Sequence, residues 1–170
     1  MNRDDLMHMY DFTGKTFAVT GGAGALGGDV VIALAGCGAN VMVLDRNLAR
    51  LSALRECVGP RAGEIDGVQV DVMNRESLTA AGEAINRRFG ALYGLVNAAG
   101  GNSPRATCTA DMSFFDIPEE GLRFVLDLNI LGTMMPCQVL ARQMAEAGEG
   151  VILNYSSMNA YRPLTNIAAY

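Results

Sequence analysis

Gly22, Gly24 and Gly27 fall in the order G-x-G-x-x-G, directly after the β-rich run TFAVT (16–20) and ahead of apolar residues with helical spacing. Glycines in such a turn let the backbone approach a pyrophosphate, whose charge the N-terminus of the following helix stabilises. Asp45 closes the next β-rich run, 18 residues after Gly27, where a carboxylate accepts hydrogen bonds from the hydroxyls of an adenosine ribose. The same carboxylate repels a 2′-phosphate, which favours NAD over NADP, while the guanidinium of Arg46 beside it works the other way. Two plainer readings stay open: a glycine turn that only packs helix on strand, and a solvated strand-end carboxylate.

The rest of the inventory narrows the chemistry. His8 is the only histidine and Lys15 the only lysine. Ser-His-Asp and Cys-His schemes lack their base, and the usual zinc sets lack their ligands. The expectation is no metal, with the chemistry carried by Ser, Tyr, Asn, Asp, Lys or a bound cofactor. Cys37, Cys57, Cys108 and Cys137 lie far apart with no C-x-x-C pair, and read as buried thiols of a reducing, cytoplasmic compartment. A net charge of −5 without any Lys/Arg cluster argues against nucleic acid or an anionic membrane and leaves a small-molecule substrate as the expected partner. The longest apolar stretch, Val30 to Leu44, is interrupted by Gly36, Gly38 and Asn40 and is too short to span a bilayer. The opening MNRDDLMHMYDF has no apolar core of a signal peptide.

The elements that must position these groups alternate. TFAVT (16–20), NVMVLD (40–45), GVQVD (67–71), ALYGLVN (91–97) and VILNYS (151–156) read as strands. Between them, Leu26, Val30, Ala33, Leu34 and Cys37 predict a helix ended by Gly36 and Gly38. Leu48, Leu51, Leu54 and Val58 predict a second, capped by Asn47, and Leu78, Ala81, Ile85 and Phe89 a third, capped by Asn74. After a loop from Gly100 to Ile117, Pro118-Glu119-Glu120 starts a helix running to about Ala147 with a kink at Pro136. Residues 1–12 read as a polar tail and 13–170 as one α/β domain: a doubly wound Rossmann parallel sheet in the order 3-2-1-4-5.

These segments resemble the classical short-chain dehydrogenase/reductases from about Phe12 onward. Thr20-Gly21-Gly22-Ala23-Gly24-Ala25-Leu26-Gly27 matches T-G-x-x-x-G-x-G except at Ala25, whose methyl group faces the pyrophosphate position; Asp71-Val72 matches the pair that contacts adenine, and Asn97-Ala98-Ala99-Gly100 matches N-N-A-G with Ala98 for the second Asn. The resemblance implies that Asn129 in FVLDLNILGT holds a water in a proton relay. It likewise implies that Ser157 in VILNYSSM hydrogen-bonds the substrate carbonyl, and that Tyr170, 13 residues on, is the proton donor or acceptor. NAAGGNSPRAT, DIPEEGLRFVLDLNILGT and SSMNAYRPLTNIAAY look like the D-mannonate or fructuronate oxidoreductase branch. That implies interconversion of a secondary alcohol and a ketone on a sugar acid. For a full-length family member it also implies a dimer or tetramer built through the helix carrying Asn129 and the one after the tyrosine; with only the first of these, this chain is not expected to assemble in the same way.

The family pattern also has a lysine four residues after the tyrosine, and further strands and helices beyond it. The expectation is therefore a domain lacking its C-terminal strands, truncated at the catalytic tyrosine, with weak NAD binding and little turnover. The competing expectation is a non-catalytic nucleotide-binding protein such as a redox sensor. Half of the residues are hydrophobic and 18% are charged, where about 25% charged is ordinary. That excludes disorder and predicts apolar surface covered by copies of the chain or by a continuation of the domain.

Overall fold

The uncharged run Thr16–Thr20 forms a fully buried central strand, β1. The computed structural model describes Asn2, Asp5, residues 8–60 and residues 62–170. Strand β1 is flanked by β2 (Asn40–Asp45) and β4 (Gly94–Asn97), with β3 (Ile65–Gln69) and β5 (Val151–Asn154) outside them. All pairings are parallel and the order is β3-β2-β1-β4-β5, as the sequence predicts. Thr20 lies beside Leu44 on one side and Asn97 on the other. The turns leaving β1, β2 and β4 therefore start at one level, where the chain direction across the sheet reverses, which is where doubly wound folds bind ligands.

Period-two alternation divides the core. Phe17, Val19, Val41 and Val43 face one side, covered by Val31 and Ala35 of helix α1 (Ala25–Gly36) and Leu54 of α2 (Leu51–Glu56). Ala18, Met42, Leu44 and Leu95 face the other, covered by Leu78, Ala81 and Ile85 of α3 (Arg75–Phe89). Asn74 caps α3 as expected, accepting from the Ser77 N–H at 2.9 Å. Lys15 pairs with Glu149 at 2.7 Å, which holds its ammonium above the ordinary lysine range. That contact precedes β1, so the only lysine stands at the opposite end of the sheet from the turns.

Several sequence expectations shift in register. The fully buried stripe of α1 is Gly27, Gly28, Val31 and Ala35; of the expected inward residues Val30 and Leu34 pack partly buried against the same core, while Leu26 and Ala33 are exposed. The two glycines let the helix sit close to the sheet, and Leu26 is left 66% exposed on the other side. Helix α2 begins at Leu51 because Asn47 spends its side chain on an Asx turn, accepting from the Ala49 N–H. Strand β3 spans Ile65–Gln69, so Val70 and Asp71 belong to the turn after it. Strands β4 and β5 are shorter than expected at their ends. Cys57, expected buried, is exposed because α2 ends before it; the other three thiols are half-buried, and all four are free. The polar tail expected over residues 1–12 lies partly outside the described residues.

The largest departure is the long helix after the loop. It divides into α4 (Glu119–Leu126), a π turn over Asp127–Leu131, α5 (Gly132–Leu140) and α6 (Arg142–Ala147). No break occurs at Pro136, which is buried inside α5. The disturbance lies earlier, where the Asn129 amide donates to the Val125 carbonyl at 2.7 Å and the Thr133 hydroxyl donates to the Asn129 carbonyl at 3.0 Å. Side chains that bond back to i−4 carbonyls compete with the backbone ladder there, and the ladder widens to the π spacing.

The apolar excess of the composition is visible in two places. Val151, Ile152 and Leu153 of β5 are 42–53% exposed, and so are Leu126, Ile130, Leu131 and Met134 along the π turn. No helix among the described residues is long and apolar enough to cross a membrane. Leu95 of β4, fully buried in the cluster that also holds Leu78 and Leu140, sets the scale of the second core. Leu95→Ala is expected to cost about 3 kcal/mol, read as a lowered urea midpoint at unchanged m-value; a loss below about 1 kcal/mol would contradict this packing.

Candidate active site

Helix α1 starts without a side-chain cap: its N-cap is Gly24, and its first turn holds no acid. The first N–H groups of a helix have no intrahelical acceptor, and here Ala25, Leu26 and Gly27 line a cleft of about 360 Å³. The turn is tight. A Cβ on Gly27 would stand 2.3 Å from the Gly21 carbonyl oxygen, and one on Gly21, at φ +64°, would stand 2.8 Å from the Ala99 backbone. The Gly21 N–H donates to the Leu44 carbonyl at 2.8 Å, and the Ala99 N–H donates to Thr20 Oγ1 at 3.2 Å. A cradle that side chains would fill, facing free donors and the positive end of a helix, fits a pyrophosphate.

Asp45 faces the same cleft with its orientation fixed. Oδ2 accepts from the Ala23 N–H and Oδ1 from the Asn47 N–H, each at 3.1 Å. Arg50 donates to the Ala23 carbonyl at 3.0 Å, so Ala23 is held at both its N–H and its carbonyl. Each carboxylate oxygen keeps a further lone pair for a ligand hydroxyl. Arg46 lies at the rim, its carbonyl accepting from Gln69 Nε2 at 3.0 Å. Asp71 accepts from the Met73 N–H at 2.9 Å, and buried Val72 packs against Gly132. Both line the cleft, as does Ala98. Asn97 does not. It is 2% exposed, behind the wall, where Nδ2 donates to Asn154 Oδ1 at 2.8 Å.

A second chamber of about 320 Å³ shares Leu26, Ala98, Ala99 and Gly100 with the first. Asn129, Ser157 and Tyr170 all line it. The Asn129 side chain is committed to backbone: Oδ1 accepts from the Gly101 N–H at 2.9 Å, and Nδ2 donates to the Gly101 and Val125 carbonyls at 2.7 Å. A Cβ on Gly100 would meet Asn129 Oδ1 at 2.7 Å. The amide thus pins the turn after β4 to the π turn. Ser157 Oγ accepts from the Asn159 N–H at 3.1 Å, which leaves its O–H free to donate. Tyr170 is 42% exposed at the chamber wall.

Sequence reasoning did not name Thr133 or Asn159, which also line the second chamber. A hydroxyl four residues after Asn129 was the available signal, since threonine bonds back to the i−4 carbonyl. An amide two residues after Ser157 was the other. The close approach at the glycine turn makes a direct expectation. Gly27→Ala must displace the Gly21 backbone, at about 1–3 kcal/mol. Gly36→Ala, with nothing within 4 Å of its Cβ position, is expected to be neutral or slightly stabilising in the same urea titration. Equal effects of the two would contradict the cradle.

The chain has relatives along nearly its whole length. It is 35% identical over 168 residues to the uncharacterized oxidoreductase UxuB of Bacillus subtilis (strain 168), covering 94% of this chain and 60% of that one. With the D-threitol dehydrogenase of Mycolicibacterium smegmatis it shares 33% identity over 163 residues, covering 95% and 60%. A crystal structure with bound NAD, of a Haemophilus influenza protein assigned as a D-mannonate oxidoreductase, superposes at a TM-score of 0.85. It is 32% identical, and the match covers 97% of this chain and 62% of that one. The chain thus spans about 60% of the length of the curated relatives it matches. The description "short chain dehydrogenase" fits residues 15–170, and the chain belongs to the short-chain dehydrogenase family.

Proposed function

We propose that this chain carries the nucleotide site and the catalytic wall of an oxidoreductase that interconverts a secondary alcohol and a ketone with NAD. The observation that carries the reading is the junction of the two chambers. Leu26, Ala98, Ala99 and Gly100 are common to the glycine-turn cleft and to the chamber lined by Asn129, Ser157 and Tyr170. When bound, the nicotinamide ring supplies or accepts the hydride. Everything else falls to the protein.

The uncapped start of α1, with Gly24, Ala25 and Gly27, receives the pyrophosphate, and Gly21 keeps the turn narrow. Asp45 receives the adenosine ribose hydroxyls, and its charge favours NAD over NADP; Arg46 is the neighbouring cation. Asp71 and Val72 flank the adenine, and Ala98 bounds the passage to the second chamber. Ser157 points its free O–H at the substrate oxygen, and the Tyr170 phenol gives that oxygen a proton in reduction or takes one in oxidation. Asn129 acts chiefly as a clamp, since its amide is spent on Gly101 and Val125. A water relay there runs through its surroundings rather than its Nδ2. A sugar acid of the mannonate or fructuronate type is the proposed substrate. The exposed apolar strip from Leu126 to Met134 supports self-association.

NADH titration by fluorescence and NADH oxidation with fructuronate test the reading together. Saturable NADH binding is expected. Ser157→Ala and Tyr170→Phe are expected to lower turnover by about 10²–10⁴ while leaving NADH affinity within about twofold. Asp45→Ser is expected to shift the NAD-to-NADP affinity ratio about tenfold toward NADP. Turnover that Ser157→Ala and Tyr170→Phe leave unchanged would overturn the catalytic roles while sparing the nucleotide site; no NADH binding would overturn the proposal.

A further inference from the structure

We propose that the loop after β4 is the positioning element for Tyr170. Thr107 and Cys108 hold Asn166 and Ile167, and a left-handed turn at Asn166 aims the chain so that the phenol enters the chamber. This rests on the oxidoreductase reading, in which Tyr170 is the proton donor or acceptor.

The segment that carries Tyr170 has little else to place it. From Tyr161 to Tyr170 only Ile167 and Ala169 are half-buried, and the rest are exposed. The Cys108 N–H donates to the Asn166 carbonyl at 2.8 Å, within an isolated antiparallel bridge that pairs Thr107 with Ile167. Beyond Arg162, the segment is hydrogen-bonded to the rest of the protein, among the described residues, only at this bridge. An exposed segment with few contacts opens readily, so the bridge decides where its end lies. Asn166 has φ +69°, the one non-glycine among the described residues in the left-handed region. That conformation is costly for an L residue, least so for Asn, and persists where its surroundings hold it.

The loop that holds it is itself anchored. Asn129 bonds both the N–H and the carbonyl of Gly101. The Thr107 hydroxyl accepts from Asn102 Nδ2 at 2.8 Å and donates to the Ser103 carbonyl at 2.9 Å. Between them the 3₁₀ turn Pro104–Ala106 sits so close to α4 that a Cβ on Gly121 would stand 2.5 Å from the Arg105 carbonyl oxygen. Helix α4 and the π turn thus fix the loop, and the loop fixes the backbone just before Tyr170. The two sides of the chamber, Asn129 and Tyr170, are set by one set of ties.

The test reads the tyrosine directly, so it does not depend on turnover. 3-Fluorotyrosine is incorporated at position 170 of the full chain, and its fluorine NMR signal is followed as NADH is added. With no other change in the chain, the signal is expected to shift saturably, as a ring beside the nicotinamide must. Asn166→Val, whose β-branched side chain resists a positive φ, is expected to lose the response, and Asn166→Gly, which adopts that φ freely, to keep it. Cys108→Pro removes the bridging N–H from the other side and is expected to lose the response too. Thr107, at φ −116° and ψ 123°, already has the extended backbone that a following proline requires. No bridge residue lines the glycine-turn cleft, so NADH affinity is expected to stay within about twofold in all three variants. An unchanged response in Asn166→Val or Cys108→Pro, a lost response in Asn166→Gly, or loss of NADH affinity in the bridge variants would overturn the inference and leave the wider reading standing. A parent chain that binds NADH without a shift at position 170 would overturn it as well. Failure of the parent chain to bind NADH would overturn both.

Discussion

The contact of Gly27 with the Gly21 carbonyl governs the site. Helix α1 must begin immediately above the end of β1, and it does so only because neither residue carries a Cβ. From that approach follow the exposure of the first-turn N–H groups and the inward stripe of Gly27, Gly28, Val31 and Ala35. It also turns Leu26 out to the wall shared by the two chambers. The turn is held from its neighbours as well. The Leu44 carbonyl fixes Gly21, Asp45 and Arg50 hold the N–H and the carbonyl of Ala23, and Thr20 receives the Ala99 N–H. Polar contacts in a site surrounded by buried strands are well placed to fix geometry, since an unmade hydrogen bond there is expensive.

The second chamber depends on a different device. Asn129 reaches from the π turn to the backbone of Gly101, and the missing Cβ of Gly100 makes room for it. The extra width of the π turn, stabilised by the Thr133 hydroxyl on the Asn129 carbonyl, sets the amide across from the end of β4. The two chambers are thus joined by short polar ties between loops, and the strands beneath keep those loops at one level.

Much of this was legible in the residues because it rests on local rules. TFAVT and NVMVLD have the uncharged, β-branched character of strands buried on both faces, and their bounds match β1 and β2. Asn74 caps α3 because a side-chain acceptor there meets the Ser77 N–H. What was not legible depends on tertiary company. Spacing alone puts Leu26 in the inward stripe with Val30 and Leu34, which do pack on the core, but Gly27 and Gly28 make the close contact and leave Leu26 outside. Pro136 suggests a kink, but the α-helical ladder is interrupted earlier, at the π turn where the Asn129 and Thr133 side chains bond to backbone carbonyls. Asn97 belongs to the family motif, yet its burial beside Asn154 makes it a support for the strand ends rather than part of the cleft.

The most direct test of the account is a crystal structure of this chain with NAD. It predicts the pyrophosphate on the N–H groups of Ala25 and Leu26, the adenosine ribose hydroxyls within hydrogen-bond distance of Asp45, and the nicotinamide in the chamber beside Ser157 and Tyr170. A nucleotide bound elsewhere, or one whose nicotinamide points away from Ser157 and Tyr170, would contradict it.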